Sequence, residues 1–168
     1  MQRVAILGSG GAGKSALAAA IAERTGLPVV HLDVLYWKPG WTQPTEEEFA
    51  AALDDAVAGE RWILDGNFLR HDGPDPRFAR ADTVVFLDLP RTTCLWRVVK
   101  RRVQEARRPR RDLPEGCRES VDLEFMRWVW QYPQRNRPRM LALLDALDGV
   151  DVRRLRSPAG VRSFVDGL

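Results

Sequence analysis

The run Arg3-Val4-Ala5-Ile6-Leu7-Gly8-Ser9-Gly10-Gly11-Ala12-Gly13-Lys14-Ser15 decides how the rest of the chain is read. Residues 3–7 form a short apolar strand, residues 8–13 a tight glycine-rich turn, and the alanine-rich residues 14–24 a helix. Within it, Gly8 to Ser15 matches G-x-x-x-x-G-K-[ST] in full, the pattern of a phosphate-binding P-loop. Glycines let successive N–H groups turn inward around phosphates, and the helix N-terminus adds partial positive charge. The candidate nucleotide-contacting residues are therefore Gly8, Ser9, Gly10, Gly11, Ala12, Gly13, Lys14, Ser15 and Ala16. Lys14 would reach the β- and γ-phosphates of ATP, and the Ser15 hydroxyl would ligate Mg²⁺.

Downstream, strands alternate with helices. Residues 29–32 read as a strand ending in Asp33, and the aromatic, proline-broken residues 34–44 as a loop. Thr45 and Glu48 form a capping box ahead of a helix with Phe49, Leu53 and Val57 on one face. Residues 61–64 are a third strand, ending in Asp65-Gly66-Asn67, and a loop runs on to about residue 81. Residues 83–87 are a fourth strand ending in Asp88, followed by a basic helix over 92–106 and an exposed loop over 107–117. Helices over 119–132 and 137–147 are divided by Pro133 and Pro138; a strand over 150–155 and a helix over 159–165 finish the chain. This alternation predicts an α/β fold in three layers, with a parallel sheet and ligands at the carboxyl ends of its strands. Asp33, Asp65 and Asp88 all fall at such ends.

The 168 residues suit one domain, and 45% apolar with 29% charged residues is the composition of a soluble globular protein. No apolar run approaches the roughly 20 residues of a membrane span, and the glycine cluster with Lys14 interrupts any secretory signal. Cys94 and Cys117 make neither a disulfide framework nor a zinc spacing, which fits reduced thiols in a cytoplasmic protein. Charge is uneven: residues 1–88 carry a net −5 and residues 89–168 a net +8. Residues 91–111 hold nine basic side chains against Glu105 alone, so a polyanionic partner is implied. That cluster has three readings: cations over a triphosphate, a solvated basic face, or a nucleic-acid contact. No helix-turn-helix, zinc module or RNA-binding signature accompanies it.

P-loops serve several classes. N-K-x-D and D-x-x-G, expected of a GTPase, are absent, and no glutamate follows Asp65 or Asp88 as in hydrolytic motors. Phosphoryl transfer to a small molecule is left, and it needs cations over the transferring group. Asp65 could hold a Mg²⁺-bound water or merely cap its turn. Asp33 could orient an acceptor hydroxyl or help order Mg²⁺, by the same position at the sheet edge. Asp88 reads as structural, capping the next helix or pairing with an arginine, and His31 as a hydrogen-bonded core histidine. Tyr36, Trp37 and Trp41 could line a pocket for a planar acceptor or form a small satellite core. Of Trp128 and Trp130, on different faces of one helix, at least one is expected in the core.

Several segments together resemble adenylate kinases: Trp62-Ile63-Leu64-Asp65-Gly66, and Phe86-Leu87-Asp88-Leu89-Pro90 followed by Arg97-Val98-Val99-Lys100-Arg101-Arg102. More closely, His31-Leu32-Asp33-x-x-Tyr36-Trp37-x-Pro39-Gly40-Trp41, Asp65-Gly66-Asn67, Arg111-Asp112-Leu113-Pro114-Glu115-Gly116-Cys117 and Leu123-Glu124-Phe125-x-x-Trp128-Val129-Trp130 resemble one bacterial subgroup of adenylate-kinase-related proteins. Its members are often labelled DNA topology modulation proteins (FlaR-like). The resemblance implies a P-loop kinase fold with a five-stranded parallel sheet in the order 2-3-1-4-5. Its core would be residues 1–33, 60–106 and 119–168, with an acceptor insert at about 34–59 and an arginine-rich lid at about 107–118. It also implies Arg97 beside the adenine, Arg101 on phosphates, and Arg107, Arg108, Arg110 and Arg111 in the lid. The loop Arg156-Ser157-Pro158 would cover the base with its backbone. Two segments depart from adenylate kinases. His31-Leu32-Asp33 replaces their T-G-D-x-x-R, and Asn67-Phe68-Leu69-Arg70 stands where they have F-P-R.

The expectation is a kinase that moves the γ-phosphoryl of Mg-ATP to a nucleoside monophosphate, a nucleoside or another small acceptor. Lys14, Asp33, Arg101, Arg108 and Arg111 would be catalytic, and Ser15 and Asp65 would hold the metal. Asp33, Tyr36, Trp37, Trp41, Asn67 and Arg70 would bind the acceptor, with Arg97 and Ser157 on the nucleotide. Such a protein would be a cytoplasmic monomer or homodimer. The rival expectation is an ATP-responsive regulator binding DNA or a protein partner.

Overall fold

A computed structural model of the chain describes residues 1–40, 42–68, 75–105 and 123–168, the side chains of 102–105 aside. The elements run β1 (Arg3–Gly8), α1 (Lys14–Thr25), β2 (Val29–His31), α2 (Leu32–Tyr36), α3 (Glu46–Ala58), β3 (Trp62–Asp65) and α4 (Pro76–Arg80). They continue with β4 (Thr83–Leu87), α5 (Arg91–Glu105), α6 (Leu123–Arg135), α7 (Arg137–Asp145), β5 (Asp151–Leu155) and α8 (Pro158–Asp166). The five strands form one sheet in the order β2-β3-β1-β4-β5, every pair parallel, as the resemblance implied.

Alternate residues of the central strands feed two cores. Ala5 and Leu7, with Trp62, Leu64, Val84 and Phe86, face α3, α4 and α7 through Phe49, Leu53, Val57, Phe78, Met140 and Leu144. Val4 and Ile6, with Ile63, Val85 and Leu87, face α1, α5 and α6 through Leu17, Ala18, Ile21, Cys94 and Val129. Because both faces are covered, the central strands are apolar throughout rather than alternating with polar residues. Burying one such side chain contributes about 1.5–3 kcal/mol. The sheet is thus held rigidly, and its carboxyl edge is a fixed platform for loops.

Three expectations of secondary structure are corrected. Residues 32–36 are helical, where a strand end and a loop were expected, and Trp37 N–H closes that turn on Asp33 O at 3.0 Å. The loop expected up to residue 81 contains α4; Asp75 caps it and Pro76 opens it, a start signal outweighed by the surrounding Gly, Pro and Asp. Pro133 does not end α6, which continues to Arg135, since proline so near a helix end removes only one late hydrogen bond. The capping box of Thr45 and Glu48 is present as read. Trp128 and Trp130 are both substantially exposed, at 37% and 45%, so neither is a core residue. Trp128 stacks on Phe125, and Arg91 lies 3.8 Å over the ring of Trp130.

Candidate active site at the carboxyl edge of the sheet

β1 delivers the P-loop directly onto α1. Gly13 at the N-cap offers no side chain to the first-turn N–H groups, and that turn holds no acidic residue. By contrast Thr45, Asp75 and Ser157 cap α3, α4 and α8 with their own oxygens. The uncapped donors of α1, with its dipole, are fitted to an anion. Gly11 has φ 75°, and a Cβ there would lie 2.3 Å from Cys94 O, so only glycine allows α5 to pack against the loop. The ring tip of Phe125 of α6 closes over Gly10, where a Cβ would lie 2.8 Å from it. Lys14 Nζ rests 3.5 Å from Ser9 O, within the loop whose phosphates it would meet.

Arg97 Nη1 donates to Ala12 O at 2.8 Å, which brings its guanidinium against the P-loop backbone. Arg101 lies one helical turn further along α5 and is half-buried. Ser157 Oγ accepts from Gly160 N at 3.1 Å and its carbonyl accepts from Val161 N, so both oxygens serve α8. Ser15 is half-buried and Ala16 exposed in the first turn of α1.

The parallel register places His31 opposite Asp65 and Asp65 opposite Ile6, two residues before the P-loop begins. His31 Nδ1 lies 3.0 Å from Asp65 Oδ2; the histidine side chain is 27% exposed and the carboxylate 3%. Hydrogen-bonded it is, but at a sheet edge rather than in the core. Asp65 Oδ1 is buried with no hydrogen-bond partner among the described residues, and Ser9 Oγ is in the same state. A buried acceptor left open demands a ligand or water. A buried carboxylate oxygen left open at the end of the strand that neighbours the P-loop strand is a hard oxygen donor, of the kind that suits Mg²⁺, a cation that keeps its waters. The residues present therefore fit that ion.

Asp33 is half-buried in the first turn of α2. Tyr36 is engaged on several sides: its ring stacks on Phe68 at 4.0 Å and 14°, and meets Trp37 and Phe49 edge-on at 5.0 and 5.2 Å. Tyr36 and Phe68 thereby extend the core cluster around Phe49. Asn67 turns both the oxygen and the nitrogen of its carboxamide to Gly8, accepting from the Gly8 N–H at 2.9 Å and donating to the Gly8 carbonyl. Trp41, Arg70, Arg107, Arg108, Arg110, Arg111 and Cys117 lie outside the described residues.

Asp88 pairs with arginines, as read. Arg137 at the start of α7 and Arg154 of β5 reach its carboxylate at 2.7 and 2.6 Å. Burial pushes its carboxyl up, but hydrogen bonds from Arg137 and Arg154 outweigh that and hold it below the usual carboxylate value. Arg77 is the residue that sequence reasoning missed. Fully buried on α4, it holds Asp75 through Nε at 2.9 Å and Nη2 at 2.7 Å, and donates to the carbonyls of Gly66 and Phe68. Only the Asp75-Pro76 helix start hinted at its place.

No model of a known protein family matches the chain. It is 32% identical over 135 residues to the uncharacterized protein YqaC of Bacillus subtilis (strain 168), covering 78% of this chain and 72% of that protein. The chain belongs to the YqaC family. This YqaC family member is similar in structure to a shikimate kinase from Acinetobacter baumannii in complex with shikimate (TM-score 0.61, 13% identity, 99% of this chain and 90% of the other). It is also similar to a shikimate kinase from Bacteroides thetaiotaomicron (0.60, 17%, 99% and 95%) and a gluconokinase from Sinorhizobium meliloti 1021 (0.52, 16%, 99% and 94%). At such identities the likeness establishes the fold, that of P-loop kinases. No helix among the described residues of this YqaC family member is long and apolar enough to cross a membrane.

Proposed function

We propose that the chain is an ATP-dependent small-molecule kinase, allied to the adenylate-kinase-related subgroup labelled DNA topology modulation proteins. One observation carries this reading: the uncapped P-loop helix lies beside a buried carboxylate, Asp65, that has one oxygen held by His31 and one left open. The acceptor is a nucleoside monophosphate, a nucleoside or a similar small molecule, and the protein works in the cytoplasm.

The P-loop amides and Lys14 bind the β- and γ-phosphates and spread the charge that develops during transfer. Mg²⁺, when bound with the triphosphate, neutralises its β- and γ-oxygens. Ser15 would ligate that ion, and Asp65 Oδ1 would hold one of its waters. Arg97 flanks the nucleotide, Arg101 and the lid residues Arg108 and Arg111 add charge over the transferring group, and the backbone at Ser157 borders the base. Asp33 orients the acceptor, which Trp37, Trp41, Asn67 and Arg70 help to bind. For a hydroxyl acceptor, Asp33 takes the proton as the acceptor oxygen bonds to the γ-phosphorus. The bond to the β,γ-bridging oxygen breaks, and its electron pair leaves on ADP.

The test is an acceptor screen with Mg-ATP, reading ADP release and phosphorylated product, with Lys14→Ala as the inactive control. Nucleotide binding without any phosphorylated product would sink the kinase reading.

A further inference from the structure

We infer that Asn67 and Phe68 form a rigid strut between the acceptor side and the P-loop, which makes Asn67 a positioning residue for the bound triphosphate. The inference rests on the nucleotide reading above and adds a route from Tyr36 to Gly8.

The strut begins where the sheet runs out. The β1–β3 ladder ends at Ile6 opposite Asp65, and Gly66 N–H adds one bond to Ile6 O at 3.2 Å. Gly8, the first P-loop residue, would be next to pair on that side, but β3 has stopped. Asn67 supplies the missing rung from its side chain, accepting from Gly8 N–H at 2.9 Å and donating to Gly8 O. A carboxamide is the side-chain group that offers a donor and an acceptor so close together. An Asn67→Asp substitution would lose the donor and bring negative charge toward the phosphates.

The other end meets the acceptor insert. Phe68 lies flat on Tyr36 at 4.0 Å, and Tyr36 belongs to the same short helix as Asp33. Behind both residues Arg77 donates to Gly66 O and Phe68 O while Asp75 neutralises it, so the loop is clamped on each side of Asn67. A clamped loop transmits displacement instead of absorbing it. Loosening the aromatic stack therefore frees Asn67, and freeing Asn67 lets the P-loop entrance drift.

The test is a double-mutant cycle on the affinity for Mg-ATP, which needs no knowledge of the acceptor. Asn67→Ala should weaken binding about tenfold and Tyr36→Ala about threefold, with the double variant no weaker than Asn67→Ala alone. Phe68→Leu should behave as Tyr36→Ala, while Phe68→Tyr, which keeps a ring to stack, should bind like the wild type. Hydrogen exchange at the Gly8 amide should accelerate in Asn67→Ala and Tyr36→Ala, with Val4 and Ile6 unchanged; global loosening would accelerate all of them. Losses that multiply in the double variant, or single variants that bind normally, would overturn the strut. Wild-type protein that does not bind Mg-ATP would overturn the nucleotide reading and the strut with it.

Discussion

Asp65 and His31 stand opposite each other in the β2–β3 register, Nδ1 to Oδ2 at 3.0 Å, and the arrangement fixes which carboxylate oxygen is left for a ligand. A carboxylate held at one oxygen can turn the other in only one direction. Groups that hold a metal's partners in this way commonly change metal affinity 10–100-fold when removed.

His31→Ala should raise the Mg²⁺ concentration needed for half-maximal ATP turnover about tenfold. His31→Asn, which can still donate to Asp65, should recover most of that loss. Mg²⁺ titrations at saturating ATP decide the point; equal curves for wild type and His31→Ala would show the pair to be structural only.

Gly11→Ala should abolish nucleotide binding and destabilise the fold by about 3 kcal/mol or more. The new Cβ would lie 2.3 Å from Cys94 O at φ 75°, so α5 and the P-loop could not both keep their places. Denaturant unfolding and ATP titration of the same sample report the two losses together.

Asp88→Asn should cost about 2 kcal/mol near neutral pH, less than a fully buried pair because Arg137 and Arg154 are 35% and 28% exposed. The folded-state carboxyl titrates below its ordinary value of 3.8, so its contribution is complete above that value and disappears as pH falls through the folded one. The gap between wild type and Asp88→Asn should be widest at pH 7 and narrow below about pH 4. Urea unfolding across that range measures it; a gap that persists in acid would point away from the ion pairs.

Cys94 should resist thiol reagents in the native protein. It is 0% exposed, and burial pushes its thiol up, outweighing the nearby Arg97 and Lys14. In a Cys117→Ser background, labelling should await denaturant; rapid native labelling would mean that α5 lifts from the P-loop.

Much of this was legible in residues 3–15 and in the strand ends. A complete P-loop pattern between an apolar strand and an alanine-rich helix allows few backbone paths. Short apolar runs separated by helices then leave a parallel α/β sheet as the way to bury them. Local chemistry suffices for such readings, as the Thr45–Glu48 box illustrates. Pairing across the sheet is different, because partners distant in sequence are chosen by register and by what neighbouring elements cover. His31 looked like a core residue until β2 was set against β3. Asn67 gave no sign of reaching Gly8 until β3 stopped short of it, and Arg77 was one arginine among many until the fold buried it behind the Gly66 and Phe68 carbonyls. The sequence alone determined that a phosphate-binding loop opens a parallel α/β sheet. Only the tertiary structure decided which side chains hold that loop in place, because hydrogen bonds between residues 34 and 59 positions apart in sequence depend on register, and register is a property of the packed sheet.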